Sequence, residues 1–256
     1  MFTGGSCMEL KQCIHKGKTK SVWLVDGKAV KVFEPGYSKT DVLYEALNTA
    51  RVEDAGMDIP DLLSVEVLDD GRWAIVSEYI EGKTLAALMD ENPDKTEDYL
   101  DKMADLQIEI NRKTNPLLIR LKDKLVREII DGDALDDAVK YNLLTKLQGM
   151  PRHTKLCHGD YQPDNIIVDK NGKWHVIDWV HATQGNASAD IARTCLLLEL
   201  RKSGLAETYM KLFCEKTNTK MSYVREWMPI IAAAELQKKR PEERKLLELW
   251  TNSLNG

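Results

Sequence analysis

Two Asp-Gly pairs, Asp26-Gly27 and Asp70-Gly71, each lie between β-rich runs, and they constrain how the first third of this chain can fold. Ser21 to Phe33, "SVWLVDGKAVKVF", reads as two strands joined by a two-residue turn, because Asp-Gly accepts the positive φ that such a turn needs. Ser64 to Ile80, "SVEVLDDGRWAIVSEYI", repeats the pattern around the second pair. Between the hairpins, Ser38 followed by Asp41 has the form of a capping box, and Val42, Leu43, Ala46 and Ala50 recur at helical spacing. The expected order is strand, hairpin, helix, hairpin.

From about Gly82 the pattern changes. Stretches such as "LLIRLKDKLVREII" and "AVKYNLLTKLQ" alternate apolar and charged positions with helical period. A polar loop follows, then two short strands around Asn171-Gly172, then helical sequence from about Asn186 to the end. This is an α+β reading: a small antiparallel β lobe with one helix over residues 1–81, and a larger, mostly helical lobe over 82–256. A chain of 256 residues at 43% hydrophobic composition buries about three quarters of its unfolded surface, so it needs no disulfide or metal to fold.

The polar loop carries the chemistry. "CHGDYQPDNIIV" places His158, Asp160 and Asn165 between apolar runs, and "WHVIDWV" adds Asp178 at the end of the next strand. Acids and amides at the ends of short strands suit a magnesium–nucleotide site, since Mg²⁺ takes hard oxygen ligands from one or two carboxylates plus phosphates and water. Asn165 and Asp178 are the candidate metal ligands. Asp160 is then the acid left to accept a proton from an incoming hydroxyl. The spacing H-x-D-x-x-x-x-N is that of a kinase catalytic loop, with Gly159 where protein kinases carry Arg.

These motifs resemble the aminoglycoside phosphotransferase and choline kinase group, the small-molecule branch of the protein-kinase-like fold. That family's loop reads HGD followed by Asn, and its next strand ends in IDW or IDF, as "HVIDWV" does. "ASADIA", Ala187 to Ala192, is similar to the family's DLA segment, whose Asp braces the catalytic loop; Asp190 takes that place. The resemblance covers residues 10 to 250. It implies a two-lobed kinase fold, Mg²⁺ as cofactor and ATP or GTP as co-substrate.

It further implies a strand lysine that holds phosphates and a helix glutamate that holds the lysine. Lys31 in "GKAVKVF" fits the first role and Glu45 the second, with Glu53 as the competing glutamate. Gly17 in "HKGKTKSVW" is the single glycine of the nucleotide loop, where Lys18, Lys20 and Ser21 add charge and hydrogen bonds. The adenine is expected against the backbone of "SEYIEG", which includes Glu78 and Ile80; backbone recognition does not separate ATP from GTP. His158 is expected to be a packed scaffold residue and Asp164 a loop acid.

The net charge of −5 and pI near 5.7 argue against a nucleic-acid partner. No apolar run has membrane-spanning length, the start "MFTGGSCMEL" lacks a secretory pattern, and the five scattered cysteines read as reduced thiols of a cytoplasmic protein. The expected partner is a small-molecule hydroxyl acceptor of the amino alcohol, sugar or aminoglycoside class; oligomeric state is left open. Gln162 is a candidate acceptor contact; the aromatics Tyr161, Trp179, Tyr223, Trp227 and Trp250 are either cage walls or, as tryptophans in a helical lobe more often are, core, and the acidic "DGDALDD" (Asp131 to Asp137) is either an acceptor site or, more often, a solvated helix start. The alternatives are an inactive nucleotide-binding sensor and a protein kinase.

Overall fold

In the computed structural model, which describes residues 8–237 and 243–252, the chain begins β1 (Gln12–Lys16), β2 (Lys20–Val25), β3 (Lys28–Phe33), α1 (Lys39–Asp54), β4 (Leu62–Val67), β5 (Trp73–Glu78) and β6 (Gly82–Thr84). There follow α2 (Leu85–Glu91), α3 (Thr96–Arg112), α4 (Leu121–Asp131), α5 (Asp137–Gly149), β7 (Lys155–Cys157), β8 (Ile166–Asp169), β9 (Trp174–Val176) and β10 (Thr183–Gly185). The chain closes with α6 (Ala187–Arg201), α7 (Leu205–Thr217), α8 (Met221–Arg225), α9 (Met228–Leu236) and α10 (Arg244–Asn252). It divides into two compact units: Met1–Ala87 with Asp164–His181, and Leu88–Pro163 with Ala182–Gly256. The boundary read from sequence at 81/82 leaves residues 164–181 in the helical lobe. They group instead with the first unit, because β8 pairs antiparallel with β6 and with β9.

In the first unit, five antiparallel strands run in the order β1-β2-β3-β5-β4. The Asp26-Gly27 turn forms as expected, with φ of 48° and 74° at its two residues. The second hairpin closes differently. Leu68 and Arg72 pair through a 2.8 Å backbone bond around a three-residue loop, in which Gly71 takes the positive φ of 82°. Asp70 instead accepts from the backbone and guanidinium of Arg72. The β8–β9 loop copies this pattern: Asp169 and Lys173 close it, and Gly172 has φ 78°.

Ser38 is the N-cap of helix α1, but its hydroxyl makes no capping bond, so the expected capping box does not form. Ser38 is exposed, and water can serve both the hydroxyl and the helix end. The apolar stripe is also narrower than expected. Val42 and Ala46 are buried with Phe33 and Ile75 on one face of the sheet, whereas Leu43 is 42% exposed. Glu45 and Asn48 complete the inward face. The opposite sheet face buries Val30, Val32, Leu68, Ala74 and Val76. Full burial of each of these valine and leucine side chains is worth about 1.5–3 kcal/mol.

The second unit is built around α6, which is buried continuously from Ser188 to Leu198 and packs against α7 and α9. Asn186 caps α6 by accepting from the Ser188 amide at 2.9 Å, at the position where the sequence pattern turns helical. Short strands β7 and β10 pair antiparallel beside it. Among the described residues, no helix is long and apolar enough to cross a membrane.

Candidate active site

The register of the sheet decides where Lys31 points. Its Cα partners are Val22 on β2 and Ile75 on β5, and Ile75 belongs to the face that packs α1. On α1, Glu45 lies between Val42 and Ala46 on the same inward stripe. The Lys31 Nζ therefore meets Glu45 Oε1 at 2.6 Å, and it also reaches Asp178 Oδ1 at 3.2 Å. Burial alone lowers the Lys31 pKa, but the Asp178 and Glu45 carboxylates more than reverse this and raise it, so the ammonium stays charged. The competing Glu53 is engaged elsewhere, accepting from the Leu62 amide at 2.6 Å.

Asp178 sits just past β9 with a φ of 63°, a left-handed conformation that costs a non-glycine residue about 1–2 kcal/mol. Two bonds hold the segment there: the Trp179 indole donates to the Val176 carbonyl at 3.1 Å, and Asn48 Nδ2 to the Val180 carbonyl at 2.9 Å. Asn165 is buried, and its carbonyl accepts from the Ile177 amide at 3.0 Å, which fixes it beside the residue preceding Asp178. Lys31, Glu45, Asn165 and Asp178 are thus drawn into one neighbourhood of the first unit.

The remaining nucleotide candidates lie on its strands and in the connections between them. Gly17 opens the β1–β2 turn, donating to the Lys20 carbonyl at 2.8 Å; a Cβ there would lie 3.2 Å from the same oxygen. Ser21 is buried in β2, where its Oγ accepts from the Trp23 indole at 2.9 Å. That hydroxyl is engaged by a residue of its own strand, where Ser21 pairs with Lys16 at the base of the turn. Glu78 ends β5 exposed, its amide bonded to Asp61 O at 2.9 Å, and Ile80 lies half-buried in the connection to β6.

In the second unit, Gly159 adopts φ 76°, so a left-handed turn presents Asp160. Asp190, 1% exposed, accepts from the His158 amide at 3.2 Å, the Gly159 amide at 2.8 Å, Gln107 Nε2 at 2.9 Å and Asn111 Nδ2 at 3.4 Å. The buried His158 ring accepts from the Asp160 amide through Nδ1 at 3.1 Å. Both residues therefore shape the loop. Asp160 itself is half-buried: Gln162 Nε2 donates to Oδ2 at 3.2 Å, and Arg193 Nη2 lies 3.7 Å from Oδ1. Arg193 also donates to the Gly159 carbonyl at 3.1 Å and pairs with the buried Glu235. Burial pushes the Cys157 thiol well up, so no thiolate nucleophile adjoins this loop.

Several acceptor candidates prove to be structural. Tyr161 and Trp227 are 0% exposed and Trp179 is 2% exposed, so these rings are core and offer no open face to a cation. Tyr161 donates to the Met103 carbonyl, and the Tyr223 hydroxyl accepts from Asn186. In the acidic stretch, Asp136 caps α5 by accepting from the Val139 amide at 2.8 Å. Cys7 lies outside the described residues; Cys13, Cys157, Cys195 and Cys214 are free thiols.

Four residues with a part in this geometry carry no local sequence signal: Asn48, Gln107, Arg193 and Glu235. A fifth, Lys20, carries one of a different kind. It sits in the loop read as phosphate-binding, yet its Nζ meets Glu45 Oε2 at 2.6 Å.

A model of the family described as "Phosphotransferase enzyme family" matches residues 14–227. No curated protein matches the chain. Among solved structures, the aminoglycoside phosphotransferase APH(4)-Ia aligns with a TM-score of 0.70 at 16% identity, covering 95% of this chain and 92% of that one. A thermostable mutant of that enzyme in ternary complex with ADP and hygromycin B gives 0.69 at 15% identity, with coverage of 95% and 92%. LicA in complex with AMP gives 0.66 at 16% identity, covering 97% of this chain and 94% of LicA. The shared fold is the protein-kinase-like α+β architecture expected from the sequence.

Proposed function

The chain belongs to the phosphotransferase enzyme family and is a phosphotransferase with an alcohol group as acceptor, and on that premise we propose that it moves the γ-phosphoryl group of ATP or GTP to a hydroxyl of an amino alcohol, a sugar or an aminoglycoside. The observation that carries this reading is the chain of contacts Glu45–Lys31–Asp178, which joins residues from β3, α1 and the segment after β9. Phosphoryl transfer depends on positioning and charge neutralisation, and this cluster supplies fixed charges of both signs. Structural neighbours bound to ADP or AMP support a nucleotide as the donor.

In this reading Lys31 holds the nucleotide phosphates and Glu45 holds Lys31. Asp160 accepts the proton of the attacking hydroxyl, with Gln162 and Arg193 fixing its two oxygens. The β1–β2 turn at Gly17 covers the phosphates, and the backbone from Glu78 to Ile80 receives the base. Asn165 and Asp178 would hold Mg²⁺. One amide and one carboxylate, both hard oxygen donors, fit a cation that completes its shell with phosphates and water. When bound, the ion neutralises phosphate charge. The four free cysteines of the described residues suit a cytoplasmic setting.

Incubation with Mg-ATP or Mg-GTP and a panel of choline, ethanolamine, homoserine, thiamine, simple sugars and kanamycin-type aminoglycosides should give at least one phosphorylated product. Nucleotide binding that is indifferent to Mg²⁺, with no product, would sink the transfer reading in favour of a sensor. Phosphorylation of proteins alone would move the assignment to a protein kinase.

A further inference from the structure

Glu45 is the most buried charge of the nucleotide cluster, with a side chain 6% exposed, and it carries two ammonium groups at once. Lys31 takes Oε1 and Lys20 takes Oε2, each at 2.6 Å. One lysine would already neutralise the carboxylate. With Asp178 on the other side of Lys31, two ammonium groups and two carboxylates alternate as Lys20–Glu45–Lys31–Asp178. Lys20 is held in place from other sides as well, with Nζ 5.4 Å from the Phe33 ring centroid and 5.9 Å from that of Tyr37. Ring faces attract a cation and hold it where it is. Lys20 is therefore seated on Glu45.

We propose that Lys20 is a positioning residue for the nucleotide phosphates, neutralising Glu45 so that the charge of Lys31 remains available to them. This rests on the phosphoryl-transfer reading above and adds to it. With Lys20 absent, Lys31 stands between two carboxylates, Glu45 and Asp178, with no second ammonium to offset them, and a polyanion approaching Lys31 meets a cluster of net negative charge. With Lys20 present, the carboxylate is shared, and Lys31 turns to a phosphate at lower cost. The benefit grows with the charge of the ligand and shrinks as salt screens it.

Equilibrium binding of ATP, ADP and AMP to Lys20→Met, Lys20→Arg, Lys31→Met and the wild type tests this. Lys20→Met keeps the aliphatic packing and loses the charge. It should weaken ATP binding on the order of tenfold, ADP binding less, and AMP binding hardly at all. Turnover at saturating nucleotide should stay within about threefold, so the loss falls on KM and not on kcat. Lys20→Arg should restore ATP affinity, and the gap between Lys20→Met and wild type should narrow at high salt. If Lys20→Met fails to fold, Lys20→Gln, whose amide still donates to Glu45, makes the same neutral comparison. Equal losses for ATP and AMP, or an Arg variant as weak as the Met variant, would reduce Lys20 to a structural support and overturn the proposal. ATP binding lost in Lys31→Met but untouched in Lys20→Met would sink the Lys20 role alone. A wild type that binds no nucleotide would sink the transfer reading and this inference with it.

Discussion

Two carboxylates, Glu45 in the first unit and Asp190 in the second, are almost equally hidden from water, yet they are satisfied in opposite ways. Glu45 is met by ammonium groups on flexible stems, and the cluster continues to Asp178, whose side chain is 32% exposed. Asp190 is met by N–H groups, two of them from the backbone of the loop that carries Asp160. Ion pairs that border on water can be surrendered to an incoming charge and re-formed afterwards. A carboxylate that gathers a backbone turn cannot let go without losing the turn. The first arrangement is exchangeable and suits a ligand that comes and goes; the second is fixed and suits a group that must be in place before the reactants arrive.

The largest break in that contrast comes from Asp190→Ala. It strands several buried N–H donors, each costing about 1–3 kcal/mol, so we expect a loss of at least about 4 kcal/mol. The melting temperature should fall on the order of 10 °C in a thermal scan, with activity lost alongside. A melting temperature unchanged by this substitution would show that the fixed half is not held by Asp190.

A middle-sized effect separates the halves functionally. Asp160→Ala should cut turnover by about 10²-fold or more while nucleotide affinity, read by calorimetry, stays nearly unchanged. Asp178→Ala should remove the Mg²⁺ dependence of nucleotide binding. Equal loss of binding in both variants would erase the division of labour between the two units.

The smallest effect sharpens the contrast within the loop itself. At Gly159, φ is 76°, so Gly159→Ala should cost about 1–2 kcal/mol of stability and lower turnover through a tilted Asp160. Nucleotide affinity should not move. A shift in nucleotide affinity would mean that the turn reaches further into the first unit's chemistry than the contacts of Asp190 imply.

Much of the exchangeable half was legible in the sequence, because its parts announce themselves locally. Asp26-Gly27 specifies a turn, that turn sets the β2–β3 register, and the register carries Lys31 onto the face that α1 covers. Glu45 followed as the acid on that helix, and the choice over Glu53 turned on a contact that only folding reveals. The fixed half was legible at His158, Asp160 and Asp190. Gln107, Arg193 and Glu235 act through partners far away along the chain, and nothing in their neighbours marks them. The aromatic residues left two readings open, because composition does not tell a cage wall from a core side chain; Tyr161, Trp179 and Trp227 follow the core reading. The capping-box reading of Ser38 failed because an exposed helix end has water as a competing partner.

Asn48 adds a mechanical consequence. It lies about one turn beyond Glu45 on α1, and it is tied to Val180 while Glu45 is tied through Lys31 to Asp178. A rod pinned at one point can swivel; a rod pinned at two cannot. Any effector that worked by swinging α1 aside would have to pull both pins together. A movement of α1 away from the segment after β9 must therefore break both contacts, and losing one alone leaves the helix held by the other.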